Sequence, residues 1–282
     1  FRFVAMPASA LLVVGVCVSA LTGMTALVSL AITEPMNFFE ASHVLGLFSA
    51  SNLAFLCSSL LLLVRLLREP AGAAGISLYG ARASLLAAVL RAAFSLSGGA
   101  FSRTAFSHAE AVISVLGLAM LTLILEPGIA KAFPQLGQAG AAAESFPMGK
   151  LMVGVVVATL IGSYLQRESG DDVKRWMMLN LAIYVQAASM LPQRELLLRT
   201  KRIPAITSHA FALLALGGLL RLMMWLVLLC EAERHLFIML GDFIHVGLLG
   251  DFVLLYTRAL RERGIGGLLD GDDLELYAAS HV

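Results

Sequence analysis

Charged side chains inside the apolar stretches of this chain are the residues best suited to do chemistry. Four of them are Arg91, Arg221, Asp242 and Asp251. An ionisable group in a membrane helix is costly, so it usually faces a bundle interior, a water-filled path or a charged partner. These residues therefore predict ion pairing or a polar cavity between helices.

The position of each residue in its stretch keeps different alternatives open. Arg91 lies about five residues from the end, so its side chain either snorkels to the interface or faces a cavity. Arg221 lies about eight residues from the end, which favours a cavity-facing or paired role. Asp242 and Asp251 are nine residues apart, about 180° around a helix, so we expect one of them to meet a neighbouring helix or another subunit.

No combination of residues predicts catalysis or a metal site. Nothing reads as a nucleophile with a base and an orienting group, and no His, Cys, Asp or Glu cluster has metal-ligand spacing. The histidines near span ends favour interfacial hydrogen bonding over ligation, and the cysteines favour buried, inert thiols over a disulfide. We therefore predict no enzyme and no cofactor, with bound lipids expected. The histidines near span ends are His43, His108 and His209, whereas His235 and His245 lie in or beside the last span with the two acids; the cysteines are Cys17, Cys57 and Cys230.

The composition is that of a membrane protein. Of 282 residues, 59% are hydrophobic and 14% are charged, and the mean hydropathy is +0.86. Soluble domains carry roughly 25% charged residues, so a soluble enzyme is nearly excluded. The formal charge of +1 provides no basic field, and nucleic acid is not an expected partner.

Eight apolar runs are long enough to cross a bilayer as helices, since a crossing takes about 20 residues. The fold class predicted is an all-α, polytopic integral membrane protein. Its predicted spans are 7–31, 43–64, 76–95, 108–126, 149–166, 174–193, 205–229 and 236–258. Because the fifth is the shortest and the sixth contains Gln186 and Pro192, seven or nine spans remain alternatives.

The basic residues predict the orientation. With eight spans, eleven of the sixteen Lys and Arg residues outside the spans fall on the side that holds both termini. Positive charge marks the cytoplasmic, matrix or stromal side of a membrane. We therefore expect both termini there.

An internal repeat emerges at an offset of 130 residues, at which Arg91 falls on Arg221 and Leu86 on Leu216. Related spans are then four apart, so the two units share one orientation and form a parallel repeat. This predicts an extra helix, a three-helix unit, a linker helix and a second three-helix unit, an arrangement found around central cavities in small transport folds. Chance similarity among Leu-rich helices is the alternative.

Two stretches resemble the KDEL receptor family, the seven-span receptors that retrieve escaped endoplasmic-reticulum proteins and share a PQ-loop fold related to sugar transporters. One runs from Ala74-Gly75-Ile76-Ser77 to Arg91; the other is "IYVQAASMLPQ" from Ile183, followed by "ITSH" from Ile206. The resemblance covers roughly residues 45–260. It implies three segments: an extra helix and loop in 1–42, a seven-helix bundle in 43–260 and an acidic tail in 261–282.

The resemblance also implies where a ligand would bind. In that family a retrieval peptide with a terminal carboxylate is held by arginines in a polar cavity. The matching candidates here are Arg91, Gln186, where the family has a carboxylate, Arg221 as a partial replacement for a missing arginine, and Asp251. The pattern departs from the family elsewhere: Gly217-Gly218 stands in place of a Tyr-Arg pair, Leu228 in place of an arginine and Leu56 in place of a histidine.

These departures remove most of the charge that a peptide site needs. The resemblance therefore predicts the fold of this chain more strongly than it predicts peptide binding. The tail lacks the lysine-rich transport signal of the family, and the chain begins at Phe1, which suggests a processed or truncated product. We therefore expect a non-catalytic accessory or structural subunit of a larger membrane complex, with lipids and other membrane subunits as partners. The alternatives are a retrieval receptor binding the carboxyl-terminal peptide of endoplasmic-reticulum proteins, and a small-solute transporter. The membrane expected is a mitochondrial or plastid inner membrane, or the endoplasmic reticulum or Golgi.

Overall fold

A computed structural model describes most of the predicted membrane segments. The described residues are 38–68, 76–96, 105–126, 146–165, 173–200, 202–203, 205–230, 236–269 and 274–275. The predicted first helix, 7–31, and its expected role lie outside the described residues.

The described residues form seven helices and one minimal strand pair. The helices are α1 (Phe38–Arg68), α2 (Leu78–Leu96), α3 (Ala105–Leu125), α4 (Met148–Leu165), α5 (Val173–Thr200), α6 (Ala205–Cys230) and α7 (Leu236–Leu269). The strands are β1 (Arg202–Ile203) and β2 (Leu274–Glu275), which pair antiparallel.

The all-helical class is confirmed, since each predicted span from the second to the eighth coincides with one helix. Within the described residues, three helices are long and apolar enough to cross a membrane, through Gly46–Val64, Met148–Leu165 and Ser208–Cys230. The segments Leu236–Gly250 and Phe252–Arg258 meet at an angle of 47°. If they form one bent span, the number of candidate membrane helices in this part of the chain is four. These helices are typical of an integral membrane protein.

The helices pack in an order that repeats. In the first group α3 contacts both α1 and α2, and in the second α7 contacts both α5 and α6. Between the groups, α1 packs on α6 and α2 packs on α5. Exchanging α1–α3 with α5–α7 leaves this set of contacts unchanged, and α4 adds to it by packing on α5.

The outer surface of the bundle is apolar. Exposed leucine, isoleucine, valine and methionine side chains occur on α2, α3, α4, α6 and α7, whereas much of α5 between Leu179 and Met190 is buried. A soluble domain would hide such residues, but hydrocarbon chains solvate them at no cost. The polar side chains are therefore gathered between the helices.

Glycines bring α6 close to two neighbours. A Cβ on Gly217 would lie 3.1 Å from ring carbons of Phe55 and from the Ser51 carbonyl oxygen, and one on Gly218 would lie 3.0 Å from the His245 ring. The Ser51 hydroxyl donates a hydrogen bond of 2.8 Å to the Gly217 carbonyl. The two glycines thus fix α6 against α1 and α7.

The carboxyl-terminal segment is more structured than a free tail. Helix α7 runs to Leu269, past the predicted span end at 258, and β2 in the tail pairs with β1 between α5 and α6. The register places Glu275 opposite Arg202 and Leu274 opposite Ile203.

Candidate functional site

Two cavities lie between the two helix groups. The first is bounded by the early part of α1 and α5 and the late part of α2 and α6, through residues such as Asn52, Ser95, Ile183 and Trp225. The second is bounded by the opposite parts of the same helices. Both are narrow: the space inside them admits only a few water-sized groups, and the second is the roomier of the two. They are stacked along the bundle, and Arg91 lines both.

A buried ion pair lies at the first cavity. Arg221 on α6 donates from Nε to both carboxylate oxygens of Asp242 on α7 at 2.8 Å, and its Nη2 donates to Oδ1 as well. Trp225, one helical turn after Arg221, donates from Nε1 to Asp242 Oδ2 at 2.7 Å. Asp242 is fully buried and Arg221 is 2% exposed. The carboxylate thus receives charge-assisted bonds that offset its lost hydration.

Phe55 joins the two arginines that the repeat predicts to be equivalent. The guanidinium carbon of Arg221 lies 4.8 Å from the centre of the Phe55 ring, and that of Arg91 lies 5.5 Å from it. Both distances are in the range of cation–π attraction. His245 meets the same ring edge-on, with centroids 5.9 Å apart. The arrangement places two cations and an imidazole around one aromatic ring at the centre of the bundle.

The second cavity has polar walls. Gln186 and Ser189 on α5 face Ser58, Ser59 and Ser84 across it. The Ser84 hydroxyl donates to the Ser189 hydroxyl at 3.1 Å, which ties α2 to α5. Because hydroxyl and amide groups both donate and accept hydrogen bonds, this cavity suits a polar molecule or water.

A capping network closes one end of the second cavity. The Ser77 hydroxyl accepts a hydrogen bond of 2.9 Å from the Gly80 N–H and so caps α2. The Ser77 N–H in turn donates to the Gln193 side-chain oxygen on α5 at 2.9 Å. Both residues belong to the stretches that resemble the KDEL receptor family, and here they hold two helices together.

The predicted ligand residues do not all meet. Arg91 and Gln186 line the second cavity, and Arg91 also reaches the Asn52 side chain at 3.4 Å. Arg221 lines the first cavity, but two of its nitrogens are bound by Asp242. Asp251 belongs to α7, and its side chain lies outside the described residues.

The positions that depart from the family pattern serve packing. Leu56 is buried with Leu53 and Leu61 of α1 against α6, and Leu228 is buried in the cluster that contains Trp225. Gly217 and Gly218 set the close approach of α6 described above.

Sequence reasoning singled out Asp242 and Arg221 but did not pair them with each other. The expectation that one of the two acids in the last span meets a neighbouring helix is confirmed for Asp242, which meets α6. Phe55, Asn52 and Trp225 were not predicted as parts of the site. For Trp225 a signal exists, because it follows Arg221 by four residues and so shares its helix face.

The arrangement can hold charge and polar groups in a low dielectric. Among the described residues, no group of three His, Cys, Asp or Glu side chains is placed to hold a metal ion. Within the same part of the chain, no carboxylate lines the wall of either cavity.

A comparison of the sequence with models of known protein families finds no match, and a comparison with curated protein sequences finds no significant match. The resemblance to the KDEL receptor family therefore stays a prediction.

Proposed function

We propose that the chain is a non-catalytic, KDEL-receptor-like membrane protein that serves as an accessory subunit of a larger membrane assembly, its retrieval-signal site being degenerate. The observation that carries this proposal is the buried ion pair between Arg221 and Asp242. A receptor for an acidic peptide needs arginines whose donors are available to the ligand. Here the donors of the deeper arginine are used by a carboxylate of the same chain.

The packing order supports the finer architecture within this proposal. The invariance of the helix contacts under exchange of α1–α3 with α5–α7 is what a two-unit repeat with α4 as linker requires. With the predicted helix at 7–31, the architecture that we propose is the one expected from the sequence, with eight spans and a 3+1+3 bundle. The membrane proposed is a mitochondrial or plastid inner membrane, or that of the endoplasmic reticulum or Golgi.

The test of the subunit proposal is purification from the native membrane. We expect gentle solubilisation to yield the chain in fixed stoichiometry with other membrane proteins, as judged by native mass and quantitative mass spectrometry. A monodisperse chain without protein partners after the gentlest extraction that keeps it soluble contradicts the proposal. A harsh detergent provides the control, since it should release the chain from the same preparation.

A retrieval receptor is the second candidate, and the position of Arg91 favours it. Arg91 lines both cavities, and Gln186 lines the second one. Under the subunit proposal, soluble peptides ending in a retrieval tetrapeptide bind poorly at every pH between about 5 and 7.5. Micromolar binding that is lost on Arg91→Ala supports the receptor instead, with Arg82→Ala as the control at an exposed arginine.

A small-solute transporter is the third candidate. The two cavities stacked on either side of Arg91 favour it, because transport folds hold solutes between two repeats near the middle of the bundle. Uptake of polar solutes by vesicles containing the purified chain would distinguish this function from the other two.

A further inference from the structure

The strand pair joins two oppositely charged segments of the chain. Residues 196–207, which we call the basic connection, link α5 to α6 and carry Arg199, Lys201 and Arg202 but no acid. The tail, residues 270–282, carries four acids and neither lysine nor arginine. Strand β1 belongs to the basic connection and β2 to the tail, and the register pairs Arg202 with Glu275. The pairing therefore brings an acidic segment to a basic one.

The tail returns to the bundle from beyond the end of α7. The candidate span in α7 ends at Arg258, and the helix continues to Leu269, about 16 Å further at 1.5 Å per residue. Residues 270–273 then lead to β2, which pairs with β1 between α5 and α6. Because β1 precedes the candidate span that begins at Ser208, the sheet lies outside the apolar spans. Charges there attract one another through water and salt over about 8–10 Å.

Backbone pairing alone does not hold the tail in place. Within the described residues the sheet has two strands, Arg202–Ile203 and Leu274–Glu275. An isolated two-stranded pair is marginal in water, whereas opposite charges across the pair stabilise it. A tether of a few residues also keeps the tail near β1 at a millimolar effective concentration. The contact is therefore specific in register and charge, but it is weak enough to open.

We propose that the basic connection is a docking site for an extended acidic segment, and that the chain's own tail is its occupant. The tail adds to β1 as a strand, so that its backbone provides the pairing and its acids provide the selectivity. Docked in this way, it straps the end of α7 to the connection between α5 and α6. It also covers an edge of β1 that would otherwise be open to strands of other chains. The proposal is independent of the subunit function, since the site and its occupant belong to one chain.

The experiment separates the site from its occupant. The full chain is compared with a chain that ends at Leu269, both in nanodiscs of neutral lipid. The probe is a synthetic peptide of residues 270–282 with a trifluoroacetyl group on its amino terminus, whose ¹⁹F signal broadens on binding. We expect saturable binding to the shortened chain with a Kd of about 0.1–1 mM, and binding at least about tenfold weaker to the full chain, whose own tail competes. A folded shortened chain that binds no peptide overturns the proposal.

Two altered peptides separate strand pairing from charge. Methylation of the backbone nitrogens of Leu274 and Glu275 keeps every charge and removes both N–H groups of the strand. The peptide with Asp272→Asn and Asp273→Asn keeps the N–H groups and loses two charges. Each should bind at least about tenfold more weakly than the unaltered peptide. Full binding by the methylated peptide overturns the assignment as strand addition, and full binding by the amide peptide overturns the selectivity for acids.

A matched pair of variants assigns the binding to the basic connection. In the shortened chain, Arg202→Gln should weaken peptide binding at least about threefold, because it removes a charge from β1. Lys150→Gln removes the same charge from an exposed position on α4, outside the connection, and should leave binding unchanged. Equal losses in the two variants overturn the proposal.

The full chain provides a second measurement, which decides the matter if the shortened chain does not fold. With the native cysteines replaced by serine, Ile203→Cys and Leu274→Cys place two thiols on paired residues, within reach of a disulfide. We expect them to oxidise at least about tenfold faster than Ile203→Cys with Ser280→Cys. Excess tail peptide should slow the first reaction, and the methylated peptide should not. Equal oxidation rates for the two pairs, or a rate that tail peptide leaves unchanged, overturn the proposal.

Discussion

The hydroxyl of Ser51 on α1 donates a 2.8 Å hydrogen bond to the carbonyl of Gly217 on α6. The acceptor is reachable because Gly217 has no side chain between the two backbones; a Cβ there would lie 3.1 Å from the Ser51 carbonyl oxygen. Interhelical bonds of this kind stabilise membrane bundles because the interior offers little competing water. The glycine pair that departs from the receptor pattern thus has a packing role in this chain.

A side chain at Gly217 should separate α1 from α6. We expect Gly217→Ala to lower the free energy of unfolding by about 1–3 kcal/mol, since the added methyl group meets the Phe55 ring and a backbone oxygen at 3.1 Å. The measurement is the unfolding midpoint in a mild detergent. Gly154→Ala on α4 is the matched control, because nothing lies within 4 Å of its Cβ position and alanine favours a helix. Equal destabilisation by both changes would contradict the close approach.

The buried ion pair predicts asymmetric effects of mutation. Asp242→Ala leaves Arg221 charged and buried, so we expect a loss of about 3–5 kcal/mol in unfolding free energy. A double variant with Arg221→Met and Asp242→Leu should regain most of that loss, because no charge stays buried. Glu126→Ala provides the control at a partly exposed pair, where the loss should be about 0–1 kcal/mol. A double variant as unstable as Asp242→Ala argues against this account.

The cap of α2 predicts a smaller effect. Ser77→Ala removes the acceptor of the Gly80 N–H and should cost about 1 kcal/mol of unfolding free energy. Gln193→Ala removes the side-chain acceptor of the buried Ser77 N–H and should cost about 1–3 kcal/mol. Thr257→Ala is the control, because that exposed hydroxyl bonds only to carbonyls of its own helix. If Thr257→Ala lowers the unfolding free energy as much as Ser77→Ala does, the capping role of Ser77 is contradicted.

How far the sequence predicts this structure depends on what surrounds each helix. Segments that face lipid, such as Met148–Leu165, are apolar along their length, so hydropathy locates them within a residue or two. Helix α5 lies among other helices and contains Asn180, Gln186 and Gln193, so its composition is a weaker signal of a span. The predicted span ends at 193, whereas the helix continues to Thr200 through Arg194 and Glu195, because hydropathy stops a span at charged residues that a helix can include.

The site was predicted only in part, because partners on different helices are set by packing. The sequence placed Arg221 and Asp242 inside spans, but no spacing rule connects residues on separate helices. The ring of Phe55, which contacts both arginines, carries no sequence signal that distinguishes it from other buried aromatic residues. The tail strand Leu274–Glu275 is similar, since its pairing with Arg202–Ile203 joins segments far apart in the chain.

The eight-span arrangement predicts which side each labelled position faces. Cys230, exposed at the end of α6, should lie opposite the side that holds both termini. In sealed vesicles with Cys17→Ser and Cys57→Ser, we expect a membrane-impermeant maleimide to reach Cys230 from one side and terminal tags to be reached by protease from the other. Cys57 as the single remaining cysteine is the buried control and should not react. Access to Cys230 and to both tags from one side contradicts eight spans.

The predicted first helix provides the last test, since the subunit proposal gives it a role in assembly. Residues 7–31 carry no charge and contain small residues on more than one face, a composition that allows close packing against other chains. The described helices α1–α7 pack on one another through contacts of their own, so a chain lacking residues 1–32 should fold and keep the unfolding midpoint of its seven helices. We expect that chain to be absent from the native assembly, in which the unmodified chain is present in fixed stoichiometry.

The control replaces residues 7–31 with an unrelated apolar span of equal length. This variant should also fail to assemble, because lipid crossing alone does not supply the contacts. If the truncated chain is fully recovered in the assembly, the first helix does not dock the subunit. The docking surface would then lie on the exposed apolar faces of the bundle. On α4 such a face is formed by Val153, Val157 and Ile161.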